Sequence, residues 1–306
     1  VSLWEGVWIV NETVSWIVVA IIAAVFISLR HLYVKKFCLS SPPEILVFST
    51  RLVGSVFLLP GLFRSEFRVS HPPAFLAAIF VTVSVTAIAT TVQMHVIQRS
   101  ALSRNVPYLA LIPVFMIPWG LILLGQSPSA ASFLGLMIAS AGAYVLNASP
   151  DQPLFAPIIT VIRKGPARLM FLVALALGLT TTCDRIAIGA SSAYTYLVVW
   201  TVASTVIMGS RAFRHGRTLV RRTLFSKHTI AQAGLWTVGF SSQMVAVELS
   251  SHIPMGVAYV KMLTMLSILI TVTVGGRLFS ERHVLRSSLA AGMMLLGAVV
   301  TILGRK

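Results

Sequence analysis

Ile253 to Gly304 reads IPMGVAYVKMLTMLSILITVTVGGRLFSERHVLRSSLAAGMMLLGAVVTILG, and its reading decides the fold. It holds two apolar runs joined by a short charged link, Ser280-Glu281-Arg282-His283. Each run is long enough to cross a bilayer core, which takes about 20 helical residues. The same plan stands earlier, from Asn105 to Asn147: NVPYLALIPVFMIPWGLILLGQSPSAASFLGLMIASAGAYVLN. Counted from the polar residue after each first run, Gln126 and Glu281, a small residue follows at +9 (Gly135, Ala290) and a glycine at +16 (Gly142, Gly297). The two copies lie about 155 residues apart, roughly half the chain, so the sequence reads as one unit written twice.

Composition agrees. Of 306 residues, 57% are apolar and 10% charged, with mean hydropathy +0.89, more apolar surface than a water-soluble domain can hide. The net charge of +16 would suit nucleic acid, yet the cations fall between apolar runs and gather on no nucleic-acid module. Basic loops at a membrane surface account for them, and no nucleic-acid partner is expected. Cys38 and Cys183 sit near the ends of runs in different halves, which argues against a disulfide framework or a zinc site. Neither a phosphate-binding glycine loop, a metal-spaced histidine cluster nor a nucleophile elbow is found, so neither an enzyme nor a cofactor is expected.

Runs of about twenty apolar residues predict an all-α polytopic membrane protein with about ten transmembrane helices. In the first half they are Ser15–Lys35, Glu44–Phe63, Pro73–Ile97, Val106–Gly125 and Ala130–Asn147. In the second they are Leu169–Ile188, Tyr194–Ala212, Thr229–Glu248, Pro254–Phe279 and Val284–Leu303. A Pro-containing, charged linker, 148–168, separates two units, 1–147 and 169–306, and its centre, Ala156 to Arg163, suits a short interfacial helix. Five spans per unit make the second enter the membrane in the opposite sense, giving two inverted five-helix repeats. The first run follows Glu5 and Glu12 rather than a basic segment, so it is expected to stay in the membrane as a helix. Lys and Arg crowd one set of loops, including Lys35, Lys36, Arg99 and the run from Arg211 to Lys227; by the positive-inside rule both termini lie outside the cytoplasm.

The segments LALIPVFMIPWGLILLGQSPSAASFLGLMIASAGAYVL and VAYVKMLTMLSILITVTVGGRLFSERHVLRSSLAAGMMLLGAVV resemble the closing half of the EamA repeat of the drug/metabolite transporter superfamily. In that repeat a proline-containing helix ends in Leu-Gly-Glu and a glycine-bearing helix follows. Pro113, Gly125, Gly135 and Gly142 fit it in one copy, Glu281 and Gly297 in the other. Gln126 replaces the usual glutamate, and Ile268 stands where the first copy has Pro113. The resemblance implies a carrier whose ninth helix lines a central cavity, export as the commoner direction, and both termini in the cytoplasm, opposite to the charge count.

Charged and polar residues inside spans are costly in lipid and mark candidate sites. Lys261 shares a helical face of roughly 120° with Thr264, Ser267 and Thr271, with Tyr259 close by. Thr82, Thr86, Thr90 and Gln93 form a stripe along the third span. Such stripes line a water-filled route, or bond back to their own helix and to neighbours. Arg51 lies too deep in the second span to snorkel easily and needs a partner or a hydrated cavity; Glu248 is a candidate for that partner or for a proton carrier. Gln232, Trp236 and Gln243 are spaced along one face of the eighth span, and the sixth ends in Thr180-Thr181-Thr182-Cys183-Asp184-Arg185. Arg30 and Asp184 stand at matching places of the two halves and are expected to pair across the interface or gate it.

The expected substrate site is therefore Lys261, Tyr259, Thr264, Arg51, Gln93, Thr90, Gln243 and Trp236, with Arg30, Asp184 and Glu248 as gating or coupling residues. Since Arg30, Arg51, Arg104 and Lys261 outnumber Asp184 and Glu248, a small anionic or zwitterionic metabolite fits, moved by a secondary transporter of the inner (plasma) membrane. A flippase for lipid or lipid-linked sugar, and a membrane scaffold with a basic docking loop, are the alternatives. Expected partners are the small-molecule substrate and the bilayer, with a homodimer left open.

Overall fold

The computed structural model describes residues 3–59, 67–100, 102–125, 129–147, 165–253 and 256–279, and scattered residues between 285 and 300; side chains before Ser15 are excluded. Among these residues every regular element is helical. Gln126, Glu281, the charged link, the Ala156–Arg163 segment and the Arg104 side chain lie outside the described set.

The first half gives α1 (Leu3–Phe37), α2 (Pro43–Leu58), α3 (Pro72–Arg99), α4 (Ile112–Leu124) and α5 (Ala130–Asn147). The second gives α6 (Gly165–Gly189), α7 (Ala193–Ala212), α8 (Lys227–Leu249), α9 (Gly256–Thr264) and α10 (Leu266–Leu278), followed by helical residues between Leu285 and Val300. Prolines open α2 and α3 at their first turns, where a missing N–H costs nothing. Ser192 caps α7 by accepting from the Thr195 amide at 3.1 Å. Among the described residues, five helical stretches are long and apolar enough to cross a membrane: Ser15–Phe37, Pro72–Arg99, Gly165–Gly189, Ala193–His215 and Tyr259–Leu278. Phe115–Leu124 and Phe133–Gly142 are shorter apolar helices. The outer surface carries exposed Phe80, Val206, Ile122 and Leu76, as a lipid-facing belt requires.

Two expectations need correction. The fourth span does not begin as an α-helix: Val106–Leu111 is a 3-10 turn, with Pro107 near its start. The ninth is not one helix: it breaks at Met265, whose amide is shared between the carbonyls of Lys261 and Met262, both at 3.1 Å. The Thr264 hydroxyl also donates to the Lys261 carbonyl at 2.8 Å, competing for the acceptor that a regular turn would reserve.

End contacts fix which way α1, α2, α3, α6, α7 and α8 run. At one face Gln98 Nε2 donates to the Cys38 carbonyl at 2.7 Å, joining the ends of α3 and α1. There the Tyr33 hydroxyl meets His228 Nδ1 at 2.9 Å, and His215 Nε2 lies 3.4 Å from Glu44, bringing the starts of α8 and α2 to the same face. Lys35, Lys36, Arg99 and the Arg211 to Lys227 run all lie there. At the opposite face Tyr194 donates to the Leu58 carbonyl at 2.6 Å, Ser70 N to the Ala190 carbonyl at 2.8 Å, and Ala193 N to Glu248 at 3.2 Å. The two most extensive pairings are α1 with α8 and α3 with α6. Gly239 lets α8 close on α1, since a Cβ there would meet the Ile27 backbone nitrogen at 3.2 Å.

Candidate functional site

Where these helices converge the packing is interrupted by a cavity of about 130 Å³, enough for several waters or a small ligand. Its walls come from α1, α2, α3, α6, α7 and α8, from the 3-10 turn before α4 with the first residue of α4, and from the broken region of α9 and α10. Nine of the eleven residues expected from sequence line it: Arg30, Arg51, Thr90, Gln93, Asp184, Trp236, Gln243, Lys261 and Thr264. Two do not. Tyr259 is buried in the apolar core instead. Glu248 spends its Oε1 on the Ala193 amide at the start of α7, where a carboxylate suits the helix N-terminus, and so is not the partner of Arg51.

Arg51 is 3% exposed, and its guanidinium lies 4.1 Å from the Trp236 ring centroid and 4.5 Å from that of Trp200. Aromatic faces offset part of the cost of a buried cation but accept no N–H hydrogen bond in its plane. Nη1 of Arg51 accordingly has no hydrogen-bond partner among the described residues; nor have His31 Nδ1 and Trp200 Nε1, both on residues of the cavity wall. Trp236 stacks on Phe240 at 4.8 Å, and Trp200 lies 4.8 Å from the same ring. Gly54 makes room for this stack: a Cβ there would come within 2.8 Å of Trp236 Cζ3.

Arg30 Nε donates to Gln232 Oε1 at 3.3 Å, and the Gln232 amide donates to the Thr50 hydroxyl, a chain linking α1, α8 and α2. Asp184 accepts from the Tyr196 hydroxyl at 2.5 Å. The expected Arg30–Asp184 pair is therefore not formed: both face the cavity, but each is held by its own neighbours. Lys261 lines the same cavity as Asp184 and Arg30. On α3 the Thr90 hydroxyl donates back to the Thr86 carbonyl at 2.7 Å; Thr86, Thr90 and Gln93 face the cavity, whereas Thr82, bonded back to the Ile79 carbonyl, does not line it.

His31, Tyr196, Trp200 and Phe240 escaped the sequence reading. An aromatic residue in an apolar run looks the same whether it meets lipid or a cavity. The available signal was spacing: Tyr196 and Trp200 are four apart on α7, as are Trp236 and Phe240 on α8.

The lining residues of the two halves also stand in register. Ile27 and Arg30 correspond to Thr181 and Asp184, Arg51 to Trp200, Thr86, Thr90 and Gln93 to Trp236, Phe240 and Gln243, and Leu109 and Ile112 to Thr264 and Ser267. Each pair is separated by about 150 residues.

Residues 14–148 match the family model of the EamA-like transporter family. That family belongs to the drug/metabolite transporter superfamily, and the match covers the first half of the chain. EamA proteins are transporters rather than enzymes. A crystal structure of another protein superposes with a TM-score of 0.66, over 95% of this chain and 98% of its own, at 14% sequence identity. At that identity the likeness concerns the fold alone. No curated protein matches the sequence.

Proposed function

We propose that this protein is a secondary transporter of the inner (plasma) membrane that moves a small anionic or zwitterionic metabolite, of amino-acid or organic-acid type, by alternating access. The observation that carries the reading is the cavity wall, where Arg30, Arg51 and Lys261 face a single carboxylate, Asp184, inside a ring of apolar helices. Charged groups inside a membrane protein mark substrate or ion pathways by default. Arg51 serves the substrate anion, since its Nη1 has a donor to offer. Asp184, with Lys261 beside it, serves the amino group of a zwitterion or a coupling proton.

We further propose two inverted five-helix repeats, 1–147 and 169–306, with 148–168 as linker. The register of lining residues supports this, as does the direction of corresponding helices: α1 ends at the basic face whereas α6 ends opposite, and α2 and α7 run in opposite senses. Breaks at Val106–Leu111 and at Met265 fall at corresponding places, both at the cavity, where irregular backbone in the membrane is tolerated. The basic face is cytoplasmic by the positive-inside rule. Efflux is the direction implied by the family.

A panel of radiolabelled amino and organic acids on reconstituted protein tests the reading. For whichever anion or zwitterion the wild type carries, Lys261→Ala is expected to lower the rate by about tenfold or more, the loss of a charge-assisted contact of about 1.5–3 kcal/mol. Unchanged transport in that variant, or transport confined to cations, would contradict it.

A further inference from the structure

The segment joining α7 to α8 has a surface that the carrier reading does not use. After a 3-10 turn, Phe213–His215, the chain reverses at Gly216 (φ +95°, ψ 140°), a conformation that suits glycine, and forms the two-turn helix Arg217–Leu224. Val220 and Thr223 are buried, with the helix packed on α2, and His215 reaches Glu44. The remaining face turns out: Arg214, Arg217, Arg221, Arg222 and Lys227 are exposed, with Phe225 among them at 72% exposure. No Asp or Glu occurs in sequence between Asp184 and Glu248, and Glu44 at the base of the helix is engaged by His215. Among the described residues this cationic face has therefore no free counter-charge of its own.

Its position narrows what supplies one. The apolar span of α7 continues to His215, so the segment sits where the chain leaves the hydrocarbon, at the face that also holds Lys35, Lys36 and Arg99. Exposed Phe213 and Phe225 beside arginines match the make-up of segments that lie in the headgroup layer, aromatic rings down and cations among phosphates. A soluble acidic partner would account for the arginines but leave the two phenylalanines in water.

We propose that Arg214, Arg217, Arg221 and Arg222 form a docking surface for anionic phospholipid headgroups of the adjoining leaflet. The segment ties together α2, α7 and α8, the three helices that carry Arg51, Trp200 and Trp236, so headgroups bound here brace the Arg51 cage from the membrane surface. This holds whether or not the cavity carries the proposed substrate.

Thermal unfolding of the purified protein in neutral detergent micelles, supplemented with phosphatidylglycerol, phosphatidylcholine or inorganic phosphate, tests it. A ligand bound only by the folded state raises the midpoint. Phosphatidylglycerol is expected to raise the wild-type midpoint by several degrees, while phosphatidylcholine and phosphate leave it in place. R217K/R221K/R222K and, on the opposite face, Arg68→Gln retain the rise; R217Q/R221Q/R222Q loses most of it. A rise kept by the Gln variant, or matched by phosphatidylcholine or by phosphate, overturns the proposal. Should the Gln variant fail to fold, the wild type decides in high salt, where screening must remove the rise and its persistence overturns the proposal.

Discussion

Replacing Arg51 by alanine is expected to cost transport of the anionic substrate about 2–5 kcal/mol, roughly 30- to 5,000-fold, while leaving the protein folded. The two halves of this expectation have separate origins. The guanidinium is 3% exposed, held between Trp200 and Trp236, and its Nη1 makes no hydrogen bond to the described residues. A carboxylate arriving at Nη1 would be the strong partner that the protein does not supply, so truncation removes most of that contact's energy. Stability is a different matter. Removing a cation that makes no ion pair among the described residues strands no bonded counter-charge, and the loss is confined to two aromatic contacts of about 0.5–2 kcal/mol each, offset by the desolvation no longer incurred. Arg51→Lys keeps the charge but not the planar fork, and falls between wild type and alanine. Counterflow in liposomes gives the first quantity and thermal unfolding in detergent the second. Equal transport by wild type and Arg51→Ala would contradict the assignment.

A large loss of stability is expected on adding a side chain at Gly297. A Cβ there would stand 2.4 Å from the Gly135 carbonyl oxygen, 2.6 Å from the Ala139 amide nitrogen and 2.9 Å from the Ala139 Cβ. Two of these three are backbone atoms of α5, so no rotamer change relieves the clash and the helices must move apart. In lipid, close approach at small residues is a main source of helix association, because the tails on either side are equally apolar. Gly297→Ala should therefore lower stability by about 1–3 kcal/mol, and Gly297→Leu by more, seen as a lower unfolding midpoint and a smaller folded yield. Gly292 is the internal control: nothing lies within 4 Å of a Cβ there, so Gly292→Ala should change little. No described residue of α5 or beyond α10 lines the cavity, so the Gly297→Ala protein that folds should transport normally.

Much of this site was legible in the sequence because lipid makes polar residues conspicuous. Thr86, Thr90 and Gln93 on α3, and Lys261, Thr264 and Ser267 near α9, stand at helical spacing in runs that are otherwise apolar, and all six reach the cavity. Sequence placed Arg51 inside a span, in need of a partner or a hydrated cavity; it lines the cavity, but the partner the sequence offered, Glu248, is bonded to Ala193 instead. A carboxylate stands out as a counter-ion, whereas Trp200 and Trp236 act through ring faces, and no spacing rule connects residues on three separate helices. The same limit applies to Arg30, held by Gln232 on α8 rather than by the Asp184 that occupies its matching place. The break at Met265 escaped because no proline or glycine marks it; a threonine hydroxyl on a helix carbonyl does. For the two-unit plan, the +9 and +16 spacing pointed to small residues whose value became visible only as contact between Gly297 and Gly135.

The central claim is that water and solutes reach a polar hollow among the helices. Substituted-cysteine labelling measures this directly, with Cys38 and Cys183 changed to serine and a charged thiol reagent presented to both faces of the membrane. Thr90→Cys and Gln243→Cys on the cavity wall are predicted to react, while Phe80→Cys and Val206→Cys on the lipid belt do not. If the two cavity positions stay as unreactive as the lipid-facing pair, the hollow is closed to solutes and the transporter account fails.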